Sequence, residues 1–393
     1  FLQDIMAIKD TYIIDGIRTP IGSFGGGLSA VRGDDLLAHS IKSLMGRLPS
    51  LAPESIEEVF IGCANQAGED NRNVARMALL LAGLPTSIGG ETVNRLCASG
   101  MAAAINAARA IKDNAGELYI AGGVEHMTRA PYVLSKASGS FGRDQKLEDS
   151  SFGWRFINPV MEHLYGVDSM GMTAENLADE FSIAREDQDL FALWSQQKTK
   201  EAHESGFFTD EIIPIPIPQR KGDPILLAKD EEYSNVFLDK IPGLRPAFNK
   251  EGTITAANAS TLNDGASALV LASKEAVEKN GWKPIGKIIS FADAAQAPEW
   301  FTTAPSLAVP KALAKAGLKT SDVDFYELNE AFSVVGLVNM QKMNLDASKV
   351  NVNGGAVSLG HPLGSSGARI IVTLINVLHQ NNGKIGAAGI CNG

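Results

Sequence analysis

Residues 93–111 read VNRLCASGMAAAINAARAI, and the rest of the chain is organised around them. The run of Ala, Ile and Met after Ser99-Gly100 is too apolar and too small for the surface, which predicts a buried helix with Cys97 in its first turn. The unpaired N–H groups and the positive dipole end of such a helix would favour a thiolate. From this stretch alone, Cys97 can equally be a nucleophile or a small side chain that fills the core.

The composition is that of a globular chain, since 45% of the 393 residues are hydrophobic and 20% are charged, enough for two or three domains. The net charge of −10 argues against binding to nucleic acid or to a membrane surface. Three cysteines are too few and too odd in number for a disulfide framework, which predicts a reducing, cytoplasmic setting. No apolar run approaches the roughly 18 residues of a membrane span.

Strands and helices alternate in the first part of the chain, which predicts an α/β fold with helices on the faces of a mostly parallel sheet. The predicted strands are residues 11–14, 58–62, 91–94 and 117–123, and the predicted helices are residues 34–45, 75–83 and the helix of Cys97. The pattern breaks down over residues 125–252, which predicts an inserted loop domain with a helix pair at 173–181 and 185–205 and a strand at 212–218. Strand character returns at residues 253–260 and 267–273.

The segments after residue 276 repeat the first half, which predicts an internal duplication into two α/β halves with pseudo-twofold symmetry. Residues 287–291, 322–328, 351–353 and 386–389 correspond to 11–15, 56–62, 92–94 and 119–122. The predicted division is therefore 6–124 with 253–275, the loop domain 125–252, and 276–393. Met6 reads like a natural start, and because the second half lacks a counterpart of residues 267–273, we expect that its final strand is missing.

Equivalent loops of the two halves lie at the carboxyl ends of strands, where α/β sheets bind their ligands. Four short motifs fall in these loops: CAS at 97–99, NEAF at 329–332, GHP at 360–362 and CNG at 391–393. A thiol, an amide, an imidazole and a second thiol are thus expected to converge. Together and in this order, the motifs resemble the thiolase family over essentially the whole chain. The resemblance implies a layered α/β/α/β/α fold. The stretches TAANASTLNDGASALVL (255–271) and NVNGGAVSLGHPLGSSGARI (351–370) are most similar to mitochondrial-type acetoacetyl-CoA thiolases.

The resemblance implies a role for each motif. Cys97 would carry the acyl group and His361 would accept its proton, because imidazole titrates near neutrality. Cys391 would be the second acid–base, which protonates the departing enolate or removes the α-proton. Asn329 would hold a water that stabilises a thioester oxyanion with His361, and the N–H groups of Cys97 and Gly393 would form a second oxyanion hole. Neither Glu330 nor His126 is expected to take part in the chemistry.

The same resemblance implies the contacts with coenzyme A. Ser260 would contact the pantetheine, Lys240 or Arg220-Lys221 would meet the phosphates, and the acyl channel would be lined by Met170, Ala331, Phe332 and Phe301. Asn235 stands near the place where related thiolases carry an arginine. Potassium-activated relatives use a tyrosine that aligns near Gln196, with carbonyls like those of Ala256, Ala257, Ala259 and Val357. Because this chain lacks the tyrosine, we expect neither a potassium requirement nor any other metal or cofactor.

The implied activity is acetyl-CoA C-acetyl transfer: reversible thiolysis of acetoacetyl-CoA by CoA, or condensation of two acetyl-CoA, through acyl-Cys97. The expected assembly is a homotetramer, and the bulk of Phe301 predicts short acyl chains. A ketoacyl synthase shares the duplicated fold, but Cys391 argues against it, since those enzymes lack a second catalytic cysteine. A non-catalytic CoA- or lipid-binding relative would have lost motif residues. A reversible Cys97–Cys391 disulfide could coexist with catalysis.

Overall fold

The computed structural model describes residues 9–151 and 153–392, so the predicted N–H donor Gly393 lies outside the described residues. The strands are β1 Thr11–Arg18, β2 Gly22–Ser23, β3 Glu58–Gly62, β4 Gly89–Val93, β5 Leu118–His126, β6 Tyr132–Leu134, β7 Leu147–Asp149, β8 Ile215–Ile217, β9 Ile225–Leu227, β10 Asn263–Ser273, β11 Gly286–Ile288, β12 Phe325–Leu328 and β13 Gly386–Gly389. The helices are α1 Gly33–Arg47, α2 Val74–Leu81, α3 Ser99–Lys112, α4 Pro159–Tyr165, α5 Met170–Glu180, α6 Arg185–Glu204, α7 Lys274–Asn280, α8 Pro305–Lys315, α9 Ser333–Met343, α10 Ala356–Leu359 and α11 Leu363–Gln380.

The first sheet has the order β11-β1-β10-β5-β3-β4, with β2 added to β10. Every residue of β10 is buried, as expected of a central strand covered on both faces. The prediction of a mostly parallel sheet is wrong, because β10 runs antiparallel to both β1 and β5, and only β3 pairs in parallel, with β4 and β5. The strand predicted at residues 253–260 does not form. Residues 256–258 are a turn, Ala259 makes an isolated bridge with Phe332, and the strand begins at Asn263.

The second sheet contains β12 and β13, paired in parallel, in the part of the chain that the structure describes. The prediction that residues 287–291 open this sheet is wrong, because β11 pairs antiparallel with the start of β1 in the first sheet. A cleft of about 660 Å³ separates residues 285–295 from residues 383–392. Among the described residues, β13 therefore pairs with β12 only.

Helices α3 and α11 form the layer between the two sheets. Helix α3 packs on β3 and β5, and α11 packs on β5 and β10 on one side and on β12 and β13 on the other. Their approach depends on glycine, since a Cβ on Gly100 would lie 2.7 Å from the carbonyl oxygen of Gly364 and 2.8 Å from the nitrogen of Ala368. Helices α1 and α2 cover the outer face of the first sheet, and α8 and α9 pack outside the second. The predicted α/β/α/β/α layering is confirmed.

None of the helices within residues 9–151 and 153–392 is long and apolar enough to cross a membrane. The inserted segment contains α4, α5 and α6 with the hairpins β6–β7 and β8–β9. The predicted helix pair is present as α5 and α6. The predicted strand at 212–218 is shorter, because Ile215–Ile217 pairs with Ile225–Leu227 and Ile212 makes only an isolated bridge, with Arg18.

Candidate active site

Cys97 lies in a tight turn between β4 and α3. The helix begins at Ser99, so the prediction that its first turn carries the thiol is wrong by two residues. Leu96 has a left-handed backbone, with φ of 48°. The side chain of Asn94 accepts a hydrogen bond from the N–H of Leu96 (3.0 Å), and Ser99 Oγ accepts one from the N–H of Arg95 and donates to the carbonyl of Leu96. These side chains hold a strained conformation directly before the thiol.

His361 lies in the turn between α10 and α11. Gly360 has φ of 98°, and a side chain there would run into Asn263. The amide oxygen of Asn263 accepts a hydrogen bond from the N–H of His361 at 2.8 Å, which fixes the backbone of the turn. The turn and the imidazole are therefore held from β10, a strand of the first sheet.

The contacts of Ser366 determine the tautomer of His361. Ser366 Oγ lies 2.6 Å from His361 Nδ1 and 3.0 Å from the carbonyl oxygen of Pro362. A hydroxyl has one proton, and Ser366 donates it to the carbonyl. We therefore assign the Nδ1 proton to the bond with Ser366, which leaves the lone pair of Nε2 directed away from the helix. Asn329 Nδ2 is 3.5 Å from that Nε2.

Asn329 connects the imidazole to the second sheet. Its backbone N–H donates to the carbonyl of Gly389 (2.9 Å), which joins the ends of β12 and β13 close to Cys391. Its side-chain oxygen is buried and has no hydrogen-bond partner among the described residues. A buried amide in this state is suited to hold a water molecule, as the sequence predicts.

Cys391 is 1% exposed and belongs to the same apolar cluster as the predicted acyl channel. Ala331 and Phe332 are buried in this cluster, and Met170 and Phe301 pack against it. Ser260 is bonded to this cluster, because its hydroxyl and its N–H both donate to the carbonyl of Ala331, at 2.8 and 3.0 Å. The structure thus brings the five residues predicted to contact the pantetheine and the acyl group together around the cluster that contains Cys391.

The predicted phosphate contacts are not part of this cluster. Lys240 lies in a 3₁₀ helix, Leu238–Gly243, and its Nζ is 4.3 Å from the ring centre of the exposed Phe237. Arg220 and Lys221 are exposed beside the hairpin β8–β9. All three cations are solvent-accessible, and their role in binding phosphates stays a prediction.

Burial determines the protonation state of the two thiols. It raises the pKa of Cys97 well above its ordinary value, and a charge on Cys391 would raise that pKa further. Burial also raises the pKa of Cys391 to about 12. The expectation of a low pKa at Cys97 is therefore wrong: the N–H of Cys97 lowers it only partly, and no described lysine or arginine perturbs either thiol.

Burial, with a smaller contribution from Arg369, lowers the pKa of His361 to about 3. Both the imidazole and the Cys97 thiol are therefore neutral near pH 7. A neutral imidazole with a free Nε2 can accept a proton, so the thiol can be activated as it attacks rather than beforehand.

Several residues that hold the site were not predicted from the sequence, namely Asn94, Glu125, Asn263 and Ser366. Ser366 follows His361 by five residues, and the start of a helix after GHP could have indicated it. The other three have no motif signal, since they act across the fold. Glu330 accepts from Ser195 Oγ, Asn351 Nδ2 and the N–H of Val357, and His126 lies 3.3 Å from Asp264. Their partners are structural, in agreement with the expectation for both.

Comparison with known proteins adds independent support for the fold. Residues 11–275 match the family described as thiolase, N-terminal domain, and residues 282–393 match thiolase, C-terminal domain. A beta-ketoadipyl-CoA thiolase of Pseudomonas aeruginosa is 51% identical over 387 residues, which cover 98% of this chain and 96% of that protein.

Two further relatives carry different descriptions. An acetyl-CoA acetyltransferase of Schizosaccharomyces pombe is 45% identical, over 99% of this chain and 97% of that protein. Among solved structures, a thiolase from Ascaris suum in complex with coenzyme A superposes with a TM-score of 0.89 at 39% identity, over 98% of this chain and 97% of that one.

Proposed function

Because this chain belongs to the thiolase family, we propose that it is an acetyl-CoA C-acetyltransferase, which cleaves acetoacetyl-CoA with coenzyme A or condenses two acetyl-CoA molecules. The observation that supports this most is that Cys391 lies in one buried apolar cluster with the predicted acyl-channel residues, while Asn329, whose side-chain Nδ2 lies 3.5 Å from the Nε2 of His361, bonds to the strand that leads to Cys391. The cluster includes Phe332, and Met170 and Phe301 pack against it.

The thiolysis can be written with every proton accounted for. Cys97 Sγ attacks the 3-keto carbon of acetoacetyl-CoA while its proton passes to His361 Nε2. The bond between C2 and C3 then breaks, and the Cys391 thiol protonates the enolate of the departing acetyl-CoA. Acetyl-Cys97 and a Cys391 thiolate remain.

Coenzyme A completes the reaction. Its thiol gives its proton to the Cys391 thiolate and attacks the acetyl group, and Cys97 leaves as a thiolate that recovers its proton from His361. The raised pKa of Cys391, about 12, suits a group that must take a proton from carbon in the reverse direction, because a weakly basic thiolate could not. The Asn329 side chain, with a water, would stabilise the thioester oxyanion in this scheme.

A second candidate substrate is 3-oxoadipyl-CoA, which the names of relatives at 48–51% identity favour. This substrate carries a free carboxylate at the far end of its acyl chain. Burying that charge without a cation is costly, and the residues that pack around Cys391 are apolar. We therefore favour acetoacetyl-CoA over the dicarboxylic substrate.

The experiment is a comparison of kcat/KM for acetoacetyl-CoA, 3-oxoadipyl-CoA and 3-oxohexadecanoyl-CoA with purified protein. We expect acetoacetyl-CoA to be preferred by roughly 100-fold, since a site discriminates strongly against a group it leaves unpaired. Phe301 is expected to exclude the long chain. A higher kcat/KM for 3-oxoadipyl-CoA would assign the dicarboxylic substrate instead, and equal values for the sixteen-carbon substrate would contradict short-chain specificity.

Coenzyme A binding and assembly complete the proposal. The Ascaris suum neighbour was solved with coenzyme A, and here Ser260, which bonds to Ala331 of the apolar cluster, would contact the pantetheine. The hairpin β6–β7 exposes Tyr132, Leu134 and Leu147 at 66–71% of their surface, an apolar patch suited to the proposed homotetramer. Sedimentation of wild-type protein and of a Leu134→Ser variant would test it; an unchanged monomer in both would contradict it. A cytoplasmic location stays a prediction.

We propose that the activity does not require potassium, because position 196 holds a glutamine and not the tyrosine of potassium-activated relatives. Both polar atoms of the Gln196 amide are buried without a hydrogen-bond partner in the described part of the chain. An amide oxygen can hold a cation, so the residue type alone fits either state. Equal kcat/KM in potassium and sodium salts at one ionic strength would support independence, and activation by potassium would contradict it.

A further inference from the structure

Glu125, at the end of β5, is a carboxylate buried where the two halves of the chain meet. Only 2% of its surface is exposed. It accepts hydrogen bonds from the N–H groups of Ala64 (2.9 Å) and Asn65 (3.2 Å), which follow β3 in the first half. It also accepts one from Gly364 (2.9 Å), at the start of α11 in the second half. Burial raises the pKa of Glu125 to about 7, while these N–H groups and the positive end of α11 favour its charged form.

One arm of this arrangement leads to the nucleophile. The carbonyl of Ala64, whose N–H is bound by Glu125, accepts a hydrogen bond from the side-chain Nδ2 of Asn94 at 2.9 Å. The side-chain oxygen of Asn94 holds the N–H of Leu96, the left-handed residue directly before Cys97. The position of Cys97 is thus coupled to Glu125 through two residues.

The other arm leads to the general base. Gly364 follows His361 by three residues, so the bond from its N–H to Glu125 holds the turn that carries the imidazole. The backbones of β5 and α11 are in contact here, because a Cβ on Gly123 would collide with the carbonyl of Gly364. This contact prevents the two backbones from moving closer, and the bond from the N–H of Gly364 to Glu125 opposes their separation.

Resting on the proposed function, we propose that Glu125 is a positioning residue that holds the Cys97 loop of one half in register with the His361 loop of the other. No other residue type replaces it at equal size. Glutamine has one acceptor oxygen, and its NH2 group cannot accept from an N–H. A glutamine at 125 therefore loses either the bond to Asn65 or the bonds to Ala64 and Gly364.

The test is Glu125→Gln, measured by steady-state kinetics and thermal unfolding. We expect kcat to fall about 10- to 100-fold, because a displacement of about 1 Å between reacting groups costs this much. KM should stay within about twofold, since Glu125 touches no part of the proposed CoA pocket. An unchanged kcat would overturn the proposal.

Glu175→Gln is the matched control. Glu175 is 4% exposed and also accepts from two backbone N–H groups, those of Thr253 and Ile254, at 2.8 and 3.0 Å. Among the described residues it makes no hydrogen bond to the loop of Cys97 or of His361, so its loss should lower the Tm but leave kcat within about twofold. An equal loss of kcat in both variants would reduce the role of Glu125 to general stability and overturn the proposal.

Asn94→Ala breaks the same chain of hydrogen bonds at an exposed residue. It is the alternative variant if Glu125→Gln does not fold. It should also lower kcat, and the double variant should be no slower than the slower single variant, because both changes break one connected path. Multiplied losses in the double variant would overturn the inference. All variants are assayed with the thioester that the wild-type protein cleaves. The test of Glu125 therefore remains valid if the proposed substrate is wrong.

Discussion

At the scale of single residues, the serine behind the imidazole is the most informative. Because Ser366 accepts the Nδ1 proton of His361 at 2.6 Å, it keeps the lone pair on Nε2, where the thiol needs it. We expect Ser366→Ala to lower kcat by roughly 10- to 100-fold, because general-base efficiency depends on the correct tautomer. The loss of kcat is measured by steady-state kinetics with acetoacetyl-CoA.

Ser365→Ala is the neighbouring control. Its hydroxyl lies 2.9 Å from Ser267 Oγ and is buried, but it does not touch the imidazole. Both variants should lose similar stability, of about 1 kcal/mol for one buried hydrogen bond. A loss of kcat that is the same in both variants would argue against a tautomer role for Ser366.

The pH dependence follows from the neutral imidazole. The pKa of His361 is lowered by burial from 6.5 to about 3, so the base is competent well below pH 6.5. We expect kcat/KM to show no acid limb with a midpoint near 6.5. A limb at that pH, with the protein still folded, would show that His361 titrates normally and would contradict the burial argument.

The same shift has a consequence for stability. Between pH 6.5 and about 3, the unfolded chain binds a proton at His361 that the folded chain does not, so folding is penalised as the pH falls. The Tm of His361→Asn relative to wild type should therefore rise as the pH falls from 7 to 5. Thermal unfolding at each pH measures this, and it also excludes unfolding as the cause of any acid limb.

At the scale of elements, the crossing of α3 and α11 sets the geometry of the site. A Cβ on Gly100 would lie 2.7 Å from the carbonyl oxygen of Gly364. We expect Gly100→Ala to destabilise the protein by roughly 1–3 kcal/mol, since a packed core resists an added methyl group. Urea unfolding gives the value.

Gly46→Ala, in α1, provides the comparison because nothing lies within 4 Å of its added Cβ. It should stabilise the protein by up to about 1 kcal/mol through helix propensity. If Gly100→Ala does not lower the free energy of unfolding either, the backbones of α3 and α11 are not in contact. That result would contradict the packing of the central layer.

Much of this layering was predictable from the sequence. The strand at 58–62 and the helix α3 follow from hydrophobic pattern and flanking residues, because local propensity and burial agree there. The direction of β10 was not predictable from its composition, since it depends on where the inserted segment returns the chain. The three residues of β11 read as an ordinary strand, and only tertiary pairing with β1 assigns them to the first sheet.

At the scale of the whole molecule, the duplication explains why the site forms at all. The first half supplies Cys97 and the second supplies His361, Asn329 and Cys391, and the two meet at the central helices. The motifs made these four residues predictable. Their supports were not, because Glu125 and Asn263 act between segments 98 to 239 residues apart. The raised pKa values of the two thiols were also not predictable from the sequence, because they depend on burial in the folded chain.

The central claim is that Cys97 alone bonds to the acyl group, while Cys391 moves the α-proton. The most direct test is the intact mass of the protein after incubation with acetyl-CoA, for the variants Cys97→Ala and Cys391→Ala. The account predicts one added acetyl group on Cys391→Ala, mapped to Cys97, and none on Cys97→Ala, with neither variant turning over acetoacetyl-CoA. An acetyl group on Cys97→Ala, or its absence from Cys391→Ala, would contradict the account.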